Sequence, residues 1–172
     1  SSIRIRRSTD NGISFEPLII AAPNIRVSTN QKFGALRNYS NPTIAFKPDG
    51  DICIVFVQKD IGEDLNIYYI ISEDDGENWT SPEIATELTS GHQLFPWLST
   101  DSNGNIHLAY YNLEDWELNV YVSELFKDEN SFYLHDYKIT NFTNSISDPR
   151  NCNLCSNNDY LGITSSVGNR VF

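Results

Sequence analysis

Basic residues are scarce in this chain. Its 172 residues carry 12 Lys and Arg against 23 Asp and Glu, a net charge of −11. No basic stripe is present, which excludes nucleic acid as a partner. The acidic residues are spread along the chain rather than blocked, as on a solvated surface. No apolar run approaches the ~20 residues of a membrane span. No signal peptide is visible, and Ser1, not an initiator Met, leaves room for a beginning upstream. Long helical periodicity is missing as well. Tyr, Phe, Ile and Val are plentiful instead, and they alternate in short runs, which favours an all-β protein. The length suits one domain with enough chain to bury a core.

Cysteine is also sparse, at three residues. Cys53 lies in the apolar run from Ile52 to Val57 and reads as a buried thiol. Cys152 and Cys155 form a single Cys-x-x-Cys with no second pair and no helical context. That argues against zinc and against a redox motif, and leaves a local disulfide or two free thiols. Sequons at Asn38, Asn78 and Asn141 look extracellular, but about three are expected by chance at this composition.

What the chain does have is internal repetition. Asn41 to Phe46, a Lys47-Pro48-Asp49-Gly50 turn, Asp51 to Gln58, Asn66 to Ile71 and Pro82 to Thr86 read as four strands. Phe95 to Thr100, an Asp101-Ser102-Asn103-Gly104 turn, Asn105 to Tyr111, Leu118 to Ser123 and Tyr133 to Thr140 repeat that order. A last unit has a strand at Asp159 to Thr164, a turn at Ser165 to Gly168 and a further strand at Asn169 to Phe172. Four strands per unit at this period predict propeller blades. The expected division is the outer half of a blade in 1–22, blades in 41–86 and 95–140, and the inner half of a blade in 159–172. Three blades are too few for a ring, so the remaining blades are expected from the rest of a longer chain or from another subunit.

Between the third and fourth strands lies Ser72-Glu73-Asp74-Asp75-Gly76-Glu77-Asn78-Trp79. Ser72 and Asp74 can accept backbone N–H groups of a tight turn, and Gly76 can take a positive φ. Trp79 would then fold back as an apolar plug between sheets. Ser8, Asp10, Gly12 and Phe15 repeat the pattern, with Phe in place of Trp. Ser123 to Phe132 keeps only the Ser and an aromatic, and reads as a degenerate copy with a rebuilt turn. These residues resemble the Asp-box, or BNR repeat, of the sialidase-like β-propellers. The resemblance implies an all-β, partial propeller of four-stranded antiparallel blades, six in the whole protein. In that family the boxes serve structure, away from the catalytic centre.

The second-to-third-strand loops and the links between blades share the face opposite the boxes, and long loops on a rigid scaffold are where binding is expected. The resemblance implies a concrete set there: three arginines for a carboxylate, a Tyr nucleophile paired with Glu, and an Asp acid/base. On that face lie Arg26, Arg37 and Arg150, the carboxylates Asp60, Glu63, Asp64, Glu114 and Asp115, and the phenols of Tyr39, Tyr110 and Tyr111. His92 and Trp116 can line a pocket, and Trp116 can stack on a sugar or pack between loops. The plain alternatives are surface ion pairs for the arginines and core positions for the tyrosines. The Arg-Ile-Pro or Arg-Leu-Pro segment of the family is absent, and no Tyr-Glu pair is legible. The acidic loops at 60–64 and 114–117 could hold Ca²⁺ through oxygen ligands but lack an EF-hand pattern; no other cofactor is expected. The expectation is an extracellular, cell-surface or virion-surface module that binds glycan or protein or serves structure. An exo-sialidase-type glycoside hydrolase completed by residues outside this segment is the alternative.

Overall fold

A computed structural model describes residues 1–26, 42–59, 64–128 and 131–141, with short strands at 144–145, 165–166 and 170–171. All regular structure among them is β. The strands are β1 (Ile3–Ile5), β2 (Ile19–Ala22), β3 (Thr43–Phe46), β4 (Ile52–Lys59), β5 (Leu65–Ser72), β6 (Glu83–Ile84), β7 (His92–Thr100), β8 (Ile106–Glu114), β9 (Glu117–Asp128), β10 (Ser131–Lys138), β11 (Asn144–Ser145), β12 (Ser165–Ser166) and β13 (Arg170–Val171). Two antiparallel meanders dominate, β3-β4-β5-β6 and β7-β8-β9-β10. A two-stranded sheet, β1-β2, precedes them, and another, β12-β13, follows.

The middle sheet is buried on both faces, and the period of two explains how. Cys53, Val55, Val57, Ile67, Tyr69 and Ile71 point to the β7–β10 side, where they join Leu98, Leu108 and Tyr110 in one core. Ile54, Phe56 and Ile70 point the other way, to Ile3, Ala21, Ala22 and Ile25 of the N-terminal segment. Successive side chains of a strand take opposite faces, so β4 must be apolar from Ile52 to Val57 to serve two cores at once. Each fully buried Val, Ile or Phe contributes roughly 1.5–3 kcal/mol.

Both meanders open with the same kind of turn. Gly50 N–H donates to Lys47 O (3.0 Å) and Lys47 N–H to Asp51 O (2.8 Å). Gly104 N–H donates to Asp101 O (3.1 Å) and Asp101 N–H to Asn105 O (3.0 Å). In the second turn the Asp101 carboxylate also accepts from the N–H groups of Asn103 and Asn105, each at 2.9 Å.

The segment between the meanders is stitched to both. Gln93 is fully buried. Its Oε1 accepts from Ile67 N–H (3.0 Å) and Thr86 Oγ1 (2.9 Å), and its Nε2 donates to Leu88 O (2.7 Å). Beyond the two residues of β6, side chains and backbone share the edge of β5: Ile67 and Ile71 N–H donate to Gln93 Oε1 and Thr80 Oγ1, while their carbonyls accept from the N–H groups of Ala85 and Thr80 (2.9 Å each). On the other side Ser123 Oγ donates to Ala85 O (3.2 Å) and Leu88 N–H to Asp136 Oδ2 (2.9 Å). At Gly91, with φ +80, an added Cβ would lie 2.8 Å from Leu113 O and 2.9 Å from Asn112 Oδ1, so only glycine fits there.

Four local expectations need correction. Ser123 to Phe132 is no degenerate turn: β9 runs unbroken to Asp128 and pairs with β10 from Ser131↔Asp128 onward. The eight pairs that β9 makes with β10, from Ser131↔Asp128 to Lys138↔Tyr121, leave no turn at Ser123. β7 begins at His92, not Phe95; a register shift between Leu94 and Trp97, with Phe95 at φ 52, absorbs Pro96 as a bulge. Ser165 and Ser166, expected in a turn, are paired with Val171 and Arg170. Finally, Phe15 is not a plug: it is 58% exposed.

Candidate functional site

The Ser-x-Asp-x-Gly turns are closed polar constellations. In the second, Ser72 Oγ donates to Asp74 Oδ1 (2.9 Å) while accepting from Gly76 N–H (2.8 Å). Asp74 then accepts from Asn78 N–H (2.8 Å) and Asn78 Nδ2 (2.7 Å). Trp79 Nε1 donates to Gly76 O (3.0 Å), so the indole spends its one donor inside the turn and offers its rings to the Ile54–Phe56–Ile70 core. In the first turn, Ser8 Oγ donates to Asp10 Oδ1 (2.8 Å) and accepts from Gly12 N–H (2.8 Å). Ser14 supplies its N–H (2.9 Å) and Oγ (2.5 Å) to Asp10. Hydrogen bonds from the Ser14 side chain and backbone, with help from Ser8, hold the Asp10 carboxyl at about 2. Asp74 is lowered by the same means, first by the Asn78 N–H. These carboxylates stay ionised and fully engaged, so they organise turns rather than move protons. Arg7 ties the two turns together, with Nε on Glu16 (2.7 Å), Nη1 on Asp75 O (2.9 Å) and Nη2 on Glu77 (3.3 Å).

At the opposite end of the sheets lie Arg26, the end of β4, the start of β5, His92, and the β8–β9 connection. His92 Nδ1 accepts from Leu65 N–H (3.2 Å) and lies 3.6 Å from Asp64 Oδ1. An acceptor Nδ1 requires the neutral ring, so His92 here is a strand-edge partner rather than a free base. Register places His92 opposite Leu113, one step from the Glu114↔Glu117 pair. Asp115 and Trp116 form the two-residue tip, with φ of 47 and 64. Both are left-handed, as a hairpin of matching twist demands; Asp115 suits the first position, whereas Trp116 stands where such a turn usually has Gly. Trp116 is 45% exposed, and Glu114, Asp115 and Glu117 around it are exposed too. β11 lies alongside, pairing Asn144↔Leu118 and Ser145↔Glu117.

Arg26 is exposed and its carbonyl accepts from Lys59 N–H (2.9 Å). Arg37, Arg150, Tyr39, Asp60 and Glu63 lie outside the described residues, as do Cys152 and Cys155. Tyr111 packs edge-on to Phe95 with ring centroids 6.2 Å apart, and Tyr110 is fully buried. Among the described residues no group of three or more His, Cys, Asp or Glu side chains is arranged to hold a metal ion.

Two phenol–carboxylate pairs exist that the sequence did not reveal. Tyr69 Oη donates to Glu83 Oε2 (2.8 Å), and Tyr110 Oη donates to Asp136 Oδ2 (3.0 Å). Both join residues distant in sequence, which only strand pairing brings together. Burial first, then the neighbouring carboxylate, pushes each phenol far above the ordinary tyrosine range. They remain protonated donors. Asp136 also accepts Leu88 N–H, so the second pair clamps the linker to the β7–β10 sheet.

No family model matches the sequence, and no curated protein matches it. Among solved structures the chain is similar to the "Hadza microbial sialidase Hz136", at a TM-score of 0.55 and 19% identity. The match covers 78% of this chain and 30% of that one. The fold is therefore sialidase-like, and this chain spans under a third of the length of that protein.

Proposed function

We propose that this chain is part of a sialidase-like β-propeller that serves as a glycan- or protein-binding or structural module, outside the cell or on a cell or virion surface. In this reading the two meanders are whole blades, corresponding to 41–86 and 95–140. Residues 1–22 and 159–172 supply an outer and an inner half-blade of a six-bladed ring. The Ser8–Phe15 and Ser72–Trp79 turns are Asp-boxes. The observation that carries the binding role is Trp116, half-exposed on a stiff two-residue turn at the loop end of the sheets. An indole held there presents a flat apolar face to a sugar ring, and the surrounding carboxylates can accept its hydroxyl hydrogens. Asp115 and His92 flank that surface, and Arg37 and Arg150 are assigned to the same face. Glycan-array binding by the intact chain, abolished by Trp116→Ala without a change in circular dichroism, is the expected result. Unchanged binding in the variant would refute this role for Trp116.

The second reading is an exo-sialidase-type hydrolase, favoured by the likeness to a protein whose title is a sialidase. It needs arginines and an ionisable Tyr-carboxylate pair around one pocket. Tyr69 and Tyr110 are built for the opposite purpose, since both are held protonated. Release of fluorophore from a fluorogenic sialoside by this chain would establish the hydrolase reading over the binding one.

A further inference from the structure

Gly91 stands one residue before β7. The pairing of His92 with Leu113 puts it beside Glu114, at the base of the Asp115–Trp116 tip. Its φ of +80 turns one Cα hydrogen toward the end of β8. A Cβ in that direction would lie 2.8 Å from Leu113 O, 2.9 Å from Asn112 Oδ1 and 3.0 Å from Asn112 Nδ2. Asn112 is 2% exposed, and its Oδ1 has no hydrogen-bond partner among the described residues, so it faces the Gly91 Cα–H instead. The approach is closer than any residue with a Cβ permits, and one of the atoms it meets belongs to the main chain of β8.

The linker has little freedom to yield. His92 Nδ1 accepts Leu65 N–H, and the Gln93 amide is bonded to Ile67, Thr86 and Leu88. The other strand of the hairpin is backed by β11, through Asn144↔Leu118 and Ser145↔Glu117. The row His92–Leu113–Leu118–Asn144 is therefore held from both sides, and only Glu114, Glu117 and the tip lie beyond it. A push on Leu113 O has one outlet, a tilt of the tip that carries Trp116 with it. We propose that Gly91 is a positioning residue for Trp116, setting where the indole stands by leaving the Leu113 carbonyl in place. This rests on the binding role of Trp116 and deepens it.

The test is fluorine NMR of the intact chain labelled with 5-fluorotryptophan, its three resonances assigned by Trp79→Phe, Trp97→Phe and Trp116→Phe. Gly91→Ala is expected to shift the Trp116 resonance by more than its linewidth and to leave that of Trp79 in place. Gly104→Ala is the control. Its φ is +86, but its Cβ would meet only Pro48 Cδ (3.5 Å) and Lys47 Cε (3.8 Å), so Trp116 should stay where it is. Gly91→Asn guards against loss of the fold, because Asn tolerates a positive φ better than Ala and carries the same Cβ. It should shift Trp116 likewise. An unmoved Trp116 resonance in the folded Gly91→Asn chain overturns the inference, and so does an equal shift from Gly104→Ala. Failure of both Gly91 variants to fold also overturns it, since Gly91 would then serve the scaffold rather than the indole. On the glycan array, Gly91→Asn is expected to lose the signals that Trp116→Ala abolishes; a moved indole with those signals intact refutes the positioning role. An array on which Trp116→Ala changes nothing removes the binding reading, and the fluorine shift still decides whether Gly91 places the indole.

Discussion

The turns at Ser8–Phe15 and Ser72–Trp79 carry nearly the same hydrogen bonds and opposite packing. Each has a Ser hydroxyl between an Asp carboxylate and a Gly N–H, and each Asp collects two donors from the residue four positions on. Yet the aromatic that ends the second turn is half-buried in a core, while the aromatic that ends the first is 58% exposed. The polar network is local and forms wherever the residues occur. The aromatic is buried only where another sheet supplies a face to receive it. Motif and packing are therefore separable, and each can be broken alone.

The largest contrast is expected from truncating the two aromatics. Trp79→Ala removes a ring from the core of Ile3, Ile54 and Phe56 and should cost about 2 kcal/mol, whereas Phe15→Ala should cost under about 0.5 kcal/mol. Urea midpoints measure both. Equal losses would mean that Phe15 is buried in solution.

Next come the glycines. Gly76 and Gly12 have φ of +87 and +84, so alanine strains both turns, by about 1 kcal/mol. At Gly76 the new Cβ would meet Ile5 (3.4 Å) and Ile52 (3.7 Å) at ordinary van der Waals distance, and at Gly12 it would meet nothing within 4 Å. The two alanine variants should thus lose similar stability by urea midpoint, and a much larger loss at Gly76 would show that the packed turn tolerates the strain less than the exposed one.

Acid should weaken both turns. Folding lowers the Asp10 carboxyl from its ordinary 3.8 to about 2, and lowers Asp74 as well. The folded chain therefore binds fewer protons than the unfolded chain between pH 3.8 and about 2. The contribution is complete above that window and is lost as pH falls through it. Carboxyl-carbon NMR titration should find Asp10 titrating near 2, and Asp10→Asn should flatten the acid limb of the stability curve. Smallest is the coupling between turns. Arg7→Ala should slightly weaken the docking of the first turn on the second, and a double-mutant cycle with Glu77→Ala reads it.

The legible parts of the fold were the local ones. Ser72, Asp74 and Gly76 announce their turn because all its partners lie within four residues. The Lys47–Gly50 and Asp101–Gly104 turns are legible for the same reason. Phe15 misled because hydrophobicity says what a side chain prefers, not whether a neighbouring sheet is there to meet it. The repeat placed a strand start at Phe95, whereas pairing begins at His92 and bulges before Trp97, and it placed a turn after Ser123, where pairing with β10 continues. The site was less legible than the fold. The Tyr69–Glu83 and Tyr110–Asp136 pairs depend on strand register, and Trp116 could be placed at a loop tip but not given its left-handed backbone.

Gln93 carries one further consequence. A single amide group bonds to β5, to Thr86 and to Leu88, so the junction between the two meanders is a latch rather than a tether. Pulled apart mechanically, the two sheets cannot slide past one another by lengthening the connection. They must release that amide and open the shared core in the same event, and so they yield to force as one body.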